Sequence, residues 1–439
     1  MHKLVPRQYY EYGIYANRKM FPSIDDGLIP VQRRILLGAY VIARNSYVKT
    51  TRLLGDVMGK WHPHTEQVGT VQWAVQNAFL DGNGWWGSKL GIEPRNCAAP
   101  RYTSVKLSKF TYELAFKYVE HVKWEPDELE PEPIYLPTII PFSLICKYVQ
   151  SLMGFGYRTV QPIFKFSDLI KRLYDKSHIP IPTIIGAECV TTKDEVRKLF
   201  ETNKAVKVTF KPKGFIDKQN KDIYIVSCPE FPFRQMIKKF GSLWKNAEIG
   251  YVELPVSIKH KKLLSPDEAV YFKFSPAKRK SSIFDKMVNV FNNMEFSITF
   301  VNTLYDISKE KCNIYSLDEY MARTYNNYTS TCQTALVANI AKYKQIVREL
   351  EIIEAIRPLL STVKLNQDID EVITYLANQT NYTFDEINAV ISKYAIKSLL
   401  RTRIDKSEYI SRIKDLEHKQ QHLEQAIQDD ANQLIALRS

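Results

Sequence analysis

The segment Pro100–Lys109 reads PRYTSVKLSK and sets the phenol of Tyr102 directly behind Arg101, with Lys106 and Lys109 following and Arg95 upstream. A tyrosine ordinarily packs its ring and hydrogen-bonds its hydroxyl. Among so many cations it gains a second use, because guanidinium and ammonium groups would hold a phosphate against the hydroxyl and favour the phenolate. Two other stretches collect polar groups of the same kind. DGLIPVQRRIL (26–36) places Arg33 and Arg34 near a helix start, where adjacent side chains point about 100° apart and one can face a ligand while the other supports it. KTTRLLGDVMGKWHPHTE (49–66) carries Lys49, Arg52 and Lys60 into His62-Pro63-His64. An HxH pair suggests a metal, but no nearby cysteine or carboxylate set completes a site. Beside a phosphate such histidines donate hydrogen bonds or relay a proton.

These groups need rigid supports. Val31, Ile35, Leu36 and Ala39 fall at helical spacing behind Pro30, a residue suited to a helix first turn. DGNGWWGS (81–88) is a glycine-rich loop that leads toward Tyr102; without a following GK[ST] it is not a P-loop. WEPDELEPEPIYLP (124–137) is too proline-rich for a regular helix and reads as an extended acidic connector. Residues 138–300 mix strand-like and helical pieces. AVKVTFKP (205–212) and DIYIVSCPE (222–230) are predicted to pair as a hairpin, and YVELPVSI (251–258) and EFSITFVN (295–302) to be strands. From Ser316 the texture becomes helical. Leu336, Ile340, Tyr343, Val347 and Leu350 keep heptad spacing, as do Ile413, Leu416, Gln420, Leu423 and Ile427. Pro358 is predicted to end the first run. The two runs and the helical insert between them predict an antiparallel coiled coil with a knob at its tip.

At 439 residues the chain exceeds one ordinary core, and about three domains are expected. A formal charge of +13 spread along a globular, aromatic-rich chain favours a polyanionic partner. The six scattered cysteines form no CxxC pair and read as reduced, mostly structural thiols. MHKLVPRQYYEY has no apolar signal region, and no apolar run approaches the length of a membrane span, so a cytoplasmic location is expected.

The basic motifs and the Tyr102 segment occur together in an order that resembles the A subunit of type IIA DNA topoisomerases, the gyrase and topoisomerase IV family and above all its short bacteriophage form. The family runs DGLKPVHRRIL, KxARxVGDVxGKYHPHGD, DGQGNFGS and AAxRYTEARLSK. EPIYLPTIIP (132–141) is similar to its EPxxLPxxxP, and Tyr251–Pro255 to its I-x-E-L-P strand. The detailed match covers roughly residues 9–160; beyond that the resemblance is architectural. It implies a multidomain α+β chain: a winged-helix DNA-binding domain over 1–150, an α/β tower domain over 151–310, and over 311–439 a long coiled-coil stalk with a helical dimer gate. It further implies that Tyr102 is a nucleophile forming a 5′-phosphotyrosine link and that Arg101 stabilises the transition state. Arg33, Arg34, Lys49, Arg52, Lys60, His62, His64, Lys106 and Lys109 would bind DNA. The family arginine before these motifs maps to Arg18 or Lys19, and its DNA-bending isoleucine to Met153 or Leu152.

Ile29 and Gln32 depart from the family's lysine and histidine, and HPHTE from its HPHGD. The quinolone-binding positions of bacterial relatives fall near Gln67 and Val71, so weak drug sensitivity is expected. The sequence shows no Walker A motif, no ATPase signature and no acidic DxD cluster of the kind that holds catalytic magnesium. The resemblance assigns ATP and Mg²⁺ to an ATPase/TOPRIM B-type partner, and expects double-stranded DNA and a second copy of the chain as the other partners. The chain stops soon after the stalk, without room for a DNA-wrapping C-terminal domain, so relaxation and decatenation are expected over supercoiling. A catalytically silent dimeric DNA-binding scaffold of the same fold is the alternative. A relaxase or recombinase is disfavoured by the motif order.

Overall fold

The computed structural model describes residues 4–64, 67–255, 270–360, 368–394, 399 and 405–438. They divide into two units, Met1–Tyr328 with Ala431–Ser439, and Thr329–Asp430.

In the first unit four helices, α1 (Leu4–Met20), α2 (Pro30–Ile42), α3 (Thr50–Lys60) and α4 (Val68–Gln76), precede or surround a small antiparallel sheet. The sheet is ordered β1 (Val48–Lys49), β3 (Ser104–Leu107), β2 (Leu80–Asn83). Pro30 occupies the first turn of α2, as its fixed φ and missing N–H allow. Ile35, Leu36, Leu37 and Ala39 of α2 bury against a core that includes Leu53, Leu54 and Val57 of α3, Val71 and Ala74 of α4, and Val105 and Leu107 of β3. Burying each large aliphatic chain is worth about 1.5–3 kcal/mol. Gly38 lets α2 and α3 approach; a Cβ there would stand 2.4 Å from Val57 Cγ2.

The acidic segment expected to be an extended connector folds back on itself. β4 (Trp124–Pro126) pairs with β5 (Pro131–Pro133), and the turn between them carries Asp127 and Glu128. A second short hairpin, β6 (Gln150–Met153) with β7 (Arg158–Gln161), follows.

Two antiparallel sheets make up the middle of the chain. One is β8 (Ala187–Cys189), β9 (Val206–Pro212) and β14 (Phe296–Phe300), with β9 central. The other runs β10 (Gly214–Asp217), β11 (Asp222–Val226), β13 (Val270–Pro276), β12 (Ile249–Pro255). The hairpin predicted between 205–212 and 222–230 is therefore not formed. β9 buries Val208 and Phe210, and Phe210 stacks on Phe296 with ring centroids 5.7 Å apart, while β10 takes the place beside β11. The strands predicted at 251–258 and 295–302 are present, although residues 256–258 lie outside the described residues.

Helix Leu317–Leu360 begins within a residue of the predicted change of texture at Ser316. Pro358 was expected to end it and instead lies inside its last turn, close enough to the end to forfeit little of the hydrogen-bond ladder. In the second unit this helix packs antiparallel to Ser407–Gln421: Glu354 pairs with Lys406 at 2.6 Å and Lys344 with Glu417 at 2.7 Å. The second heptad run is not one helix; it breaks at His422, whose ψ of 50° is non-helical, before Leu423–Arg438. Ile352, Ile353 and Ile356 form a core with Val372, Ile373 and Leu376 of helix Ile369–Gln379 and Ile387, Val390 and Ile391 of Phe384–Lys393. Of the six free cysteines, Cys97 and Cys189 are half-buried and the others buried. Among the described residues no helix is long and apolar enough to cross a membrane.

Candidate active site and nucleic-acid interface

Tyr102 ends a single 3-10 turn, Pro100–Tyr102, and leaves 65% of its surface exposed. The Arg101 guanidinium lies over its ring, 4.7 Å from the centroid. The turn is fixed on both sides. Behind it, the Thr103 carbonyl accepts the Thr50 N–H at 3.1 Å, and the two threonine hydroxyls meet at 2.8 Å in a buried contact. In front, Gly84 stands at φ +103° with its Cα face against the turn; a Cβ would be 3.3 Å from the Tyr102 carbonyl oxygen. The glycine-rich loop therefore supports the turn through its backbone, a role only glycine fills at that φ. Lys49 is the register partner of Ser104, and exposed Arg52 lies in the first turn of α3, so both flank the tyrosine. Lys106 reaches Asp81 at 3.5 Å and covers the Tyr47 ring, and Lys109 is exposed just beyond β3.

α3 has 11 residues, about 16 Å of helix. Its far end leads into a second cluster, so one chain does not bring Tyr102 together with the histidines. Arg34 is the hub and is fully buried. Its Nε and Nη2 donate to Glu132 at 3.0 and 2.7 Å, Nη2 donates to Asp127 at 2.7 Å, and Nη1 donates to His62 Nδ1 at 3.0 Å. Burial alone would lower the Arg34 pKa; the Glu132 and Asp127 carboxylates more than reverse this, and it is raised. An arginine only donates, so His62 Nδ1 accepts and the ring proton sits on Nε2. Burial, and then the adjacent Arg34 charge, push the His62 pKa down to about 4.

Arg33, by contrast, makes a buried two-point pair with Asp26, at 2.7 and 3.2 Å. Asp26 also accepts the N–H groups of Leu28 and Leu136, each at 3.0 Å. Arg33 thus ties α2 to the segment after β5 and is the supporting member of the arginine pair.

The acidic turn meets the remaining cations. Arg18 pairs with Asp127 at 2.8 Å, Lys19 with Glu128, and His64 Nε2 lies 3.2 Å from Glu128. Burial would raise the Glu128 pKa, but the Lys19 hydrogen bond and the Arg34 charge hold it below the usual carboxylate range. Lys60, at the end of α3, pairs with Asp56 at 2.9 Å. Met153, at the end of β6, is 73% exposed, whereas Leu152 is half-buried. Val71, which the resemblance had aligned with a drug-binding position, is buried in α4. Asp127, Glu128 and Glu132 are acidic partners of this cluster that the sequence reading did not single out. The signal was the run of acids between prolines, the chain's densest negative charge set opposite its basic motifs. Each of these carboxylates is already claimed by a cation, and among the described residues no group of three or more His, Cys, Asp or Glu is placed to hold a metal ion.

A family model for the A subunit of DNA gyrase/topoisomerase IV matches residues 19–438. The chain belongs to this family. Among curated relatives, the DNA gyrase A subunit of Neisseria gonorrhoeae is 33% identical over 192 residues, 40% of this chain and 20% of the relative. The DNA gyrase A subunit of Buchnera aphidicola subsp. Acyrthosiphon pisum is 27% identical over 271 residues, 55% and 32% respectively. The DNA topoisomerase 4 A subunit of Haemophilus influenzae is 28% identical over 249 residues, 51% and 32%. The matched region spans about a third or less of these relatives' length. Within the family frame, the mixed helix-and-strand architecture and its long helix are those expected of such a chain.

Proposed function

We propose that the chain is the DNA cleavage–religation subunit of an ATP-dependent type IIA topoisomerase. The observation that carries this reading is the exposed Tyr102 phenol on a turn pinned by Thr50 and Gly84, with Arg101 against its ring. The Tyr102 oxygen attacks a DNA phosphorus. A P–O bond to the phenol forms as the P–O3′ bond breaks, and the phenol's proton ends on the 3′-oxygen. One phosphodiester replaces another, so resealing needs no external energy. Arg101 stabilises the charge on the five-coordinate phosphorus, a role whose loss costs about 10²–10³ in rate.

Arg34, held rigid by its carboxylates, orients His62 so that Nε2–H faces the DNA. Arg18, Lys19, His64, Lys49, Arg52, Lys60, Lys106 and Lys109 contact phosphates, and Met153 wedges between base pairs. In this reading residues 1–150 are the winged-helix domain, 151–310 the tower, and 311–439 the stalk and dimer gate. Two chains are needed because two strands are cut. In this reading Mg²⁺ and ATP belong to the B-type partner. The products are relaxed and decatenated DNA, made in the cytoplasm.

The test is to mix wild type or Tyr102→Phe with the B-type ATPase partner, Mg²⁺ and supercoiled plasmid, then denature. Wild type leaves protein on DNA 5′ ends and the variant does not. Absence of an adduct from wild type favours the silent scaffold.

A further inference from the structure

The loop that carries Tyr102 is also held from outside its own sheet. Gly91 stands at φ +107°, and its N–H donates to Ser227 Oγ at 2.9 Å. The next N–H, of Ile92, donates to Glu253 Oε2 at 3.0 Å. The same carboxylate lies 3.9 Å from the Arg95 guanidinium. The fit is close, for a Cβ on Gly91 would stand 3.0 Å from Glu253 Oε1. Both acceptors sit on firm ground. Ser227 is buried, with its own N–H given to the Val270 carbonyl at 2.9 Å. Glu253 is on β12, in register with Phe272 of β13.

From this anchor a ladder of backbone hydrogen bonds leads to the tyrosine. Ser88 and Arg95 exchange both N–H groups at 2.9 and 2.8 Å, the Ala98 N–H donates to the Trp85 carbonyl at 2.9 Å, and the Tyr102 N–H donates to the Ala99 carbonyl at 2.9 Å. Gly84, one residue before Trp85, lies so near the turn that a Cβ on it would stand 3.3 Å from the Tyr102 carbonyl oxygen. Two consecutive amides of a loop are thus satisfied by side chains 136 and 161 residues away. Such long-range bonds restrain where the loop can sit, and the loop determines where the phenol sits.

We propose that Glu253 and Ser227 are positioning residues for Tyr102, locking the segment between the glycine-rich loop and the Pro100–Tyr102 turn to the four-stranded sheet so that the phenol is presented at a fixed point. This rests on the reading of Tyr102 as the nucleophile. Neither side chain touches DNA in this role. Their effect is on the rate of the chemical step, because small misplacements of a reacting group are costly.

The full chain is prepared as wild type, Glu253→Ala, Glu253→Gln and Ser227→Ala. Amide exchange at Gly91 and Ile92 is measured without DNA. The rate of 5′-adduct formation is then measured with the B-type partner, Mg²⁺ and plasmid over a range of DNA concentrations. Glu253→Ala speeds Ile92 exchange and slows adduct formation about tenfold at saturating DNA, with the half-saturating DNA concentration unchanged. Glu253→Gln keeps an acceptor oxygen and restores the rate to within about threefold. Ser227→Ala speeds Gly91 exchange, with a smaller loss of rate. Unchanged exchange, or faster exchange with an unchanged adduct rate, overturns the proposal. If wild type itself forms no adduct, the reading of Tyr102 fails and its positioning role with it. The exchange data, which need no activity, show separately whether the anchor exists.

Discussion

The Arg34–His62 contact makes a prediction about acid stability. His62 is buried and its Nδ1 takes a hydrogen bond from a guanidinium at 3.0 Å, so protonating it would set two cations against each other. Its pKa is about 4 in the folded chain, against an ordinary value of 6.5. Between these values the unfolded imidazole binds a proton that the folded one refuses, so stability falls as pH drops from about 6.5 toward 4 and is unaffected above that window. At about pH 5 the loss relative to neutral pH is about 2 kcal/mol, and near pH 4 it approaches about 3 kcal/mol. The assay is urea unfolding followed by tryptophan fluorescence. All six tryptophans, Trp61, Trp73, Trp85, Trp86, Trp124 and Trp244, belong to the unit that holds His62. Carboxylates add their own acid dependence, but the depressed Glu128 pKa acts below its ordinary 4.5, under most of the histidine window. The difference between wild type and His62→Gln isolates the imidazole. Wild type loses about 2 kcal/mol more than the variant between neutral pH and about pH 5. Equal losses, or an imidazole midpoint near 6.5 by NMR, would refute the reasoning.

Arg34→Met leaves Glu132 and Asp127 without their main cation in a buried setting and should cost about 3–5 kcal/mol in the same urea assay, a loss too large for a surface ion pair. The double change Asp127→Asn with Glu128→Gln frees Arg18 and Lys19 from their carboxylates. Binding of a short DNA duplex, read by fluorescence anisotropy, should strengthen, and the slope of log affinity against log salt should steepen by about 2, close to one unit per freed cation.

Local rules carried far in this chain. Pro30 announced α2, and the heptad spacing announced the long helix. These signals act over a few residues, where φ restriction and helical periodicity decide. What escaped was pairing at a distance. β9 finds β14 some ninety residues on because Phe210, Phe296 and Phe300 share a buried face, and nothing within 205–230 encodes that. The two adjacent arginines look alike in sequence, yet Asp26, seven residues before Arg33, makes one of them structural, while Glu132, 98 residues beyond Arg34, makes the other a hub. The acidic stretch was legible as proline-rich and non-helical, but its fold into a hairpin that neutralises four basic groups depends on where those groups lie in space. His422 breaks the last helix without a proline or glycine to mark it.

The distribution of thiols has a practical consequence. Cys146, Cys228, Cys312 and Cys332 are sealed in the interior, and burial raises the pKa of half-buried Cys189, which suppresses its thiolate. Cys97 remains, between the Ser88–Arg95 bridge and the Pro100–Tyr102 turn. A small maleimide dye at limiting dose would therefore mark the unaltered chain five residues from its phenol, giving an optical reporter of that segment without any engineered cysteine.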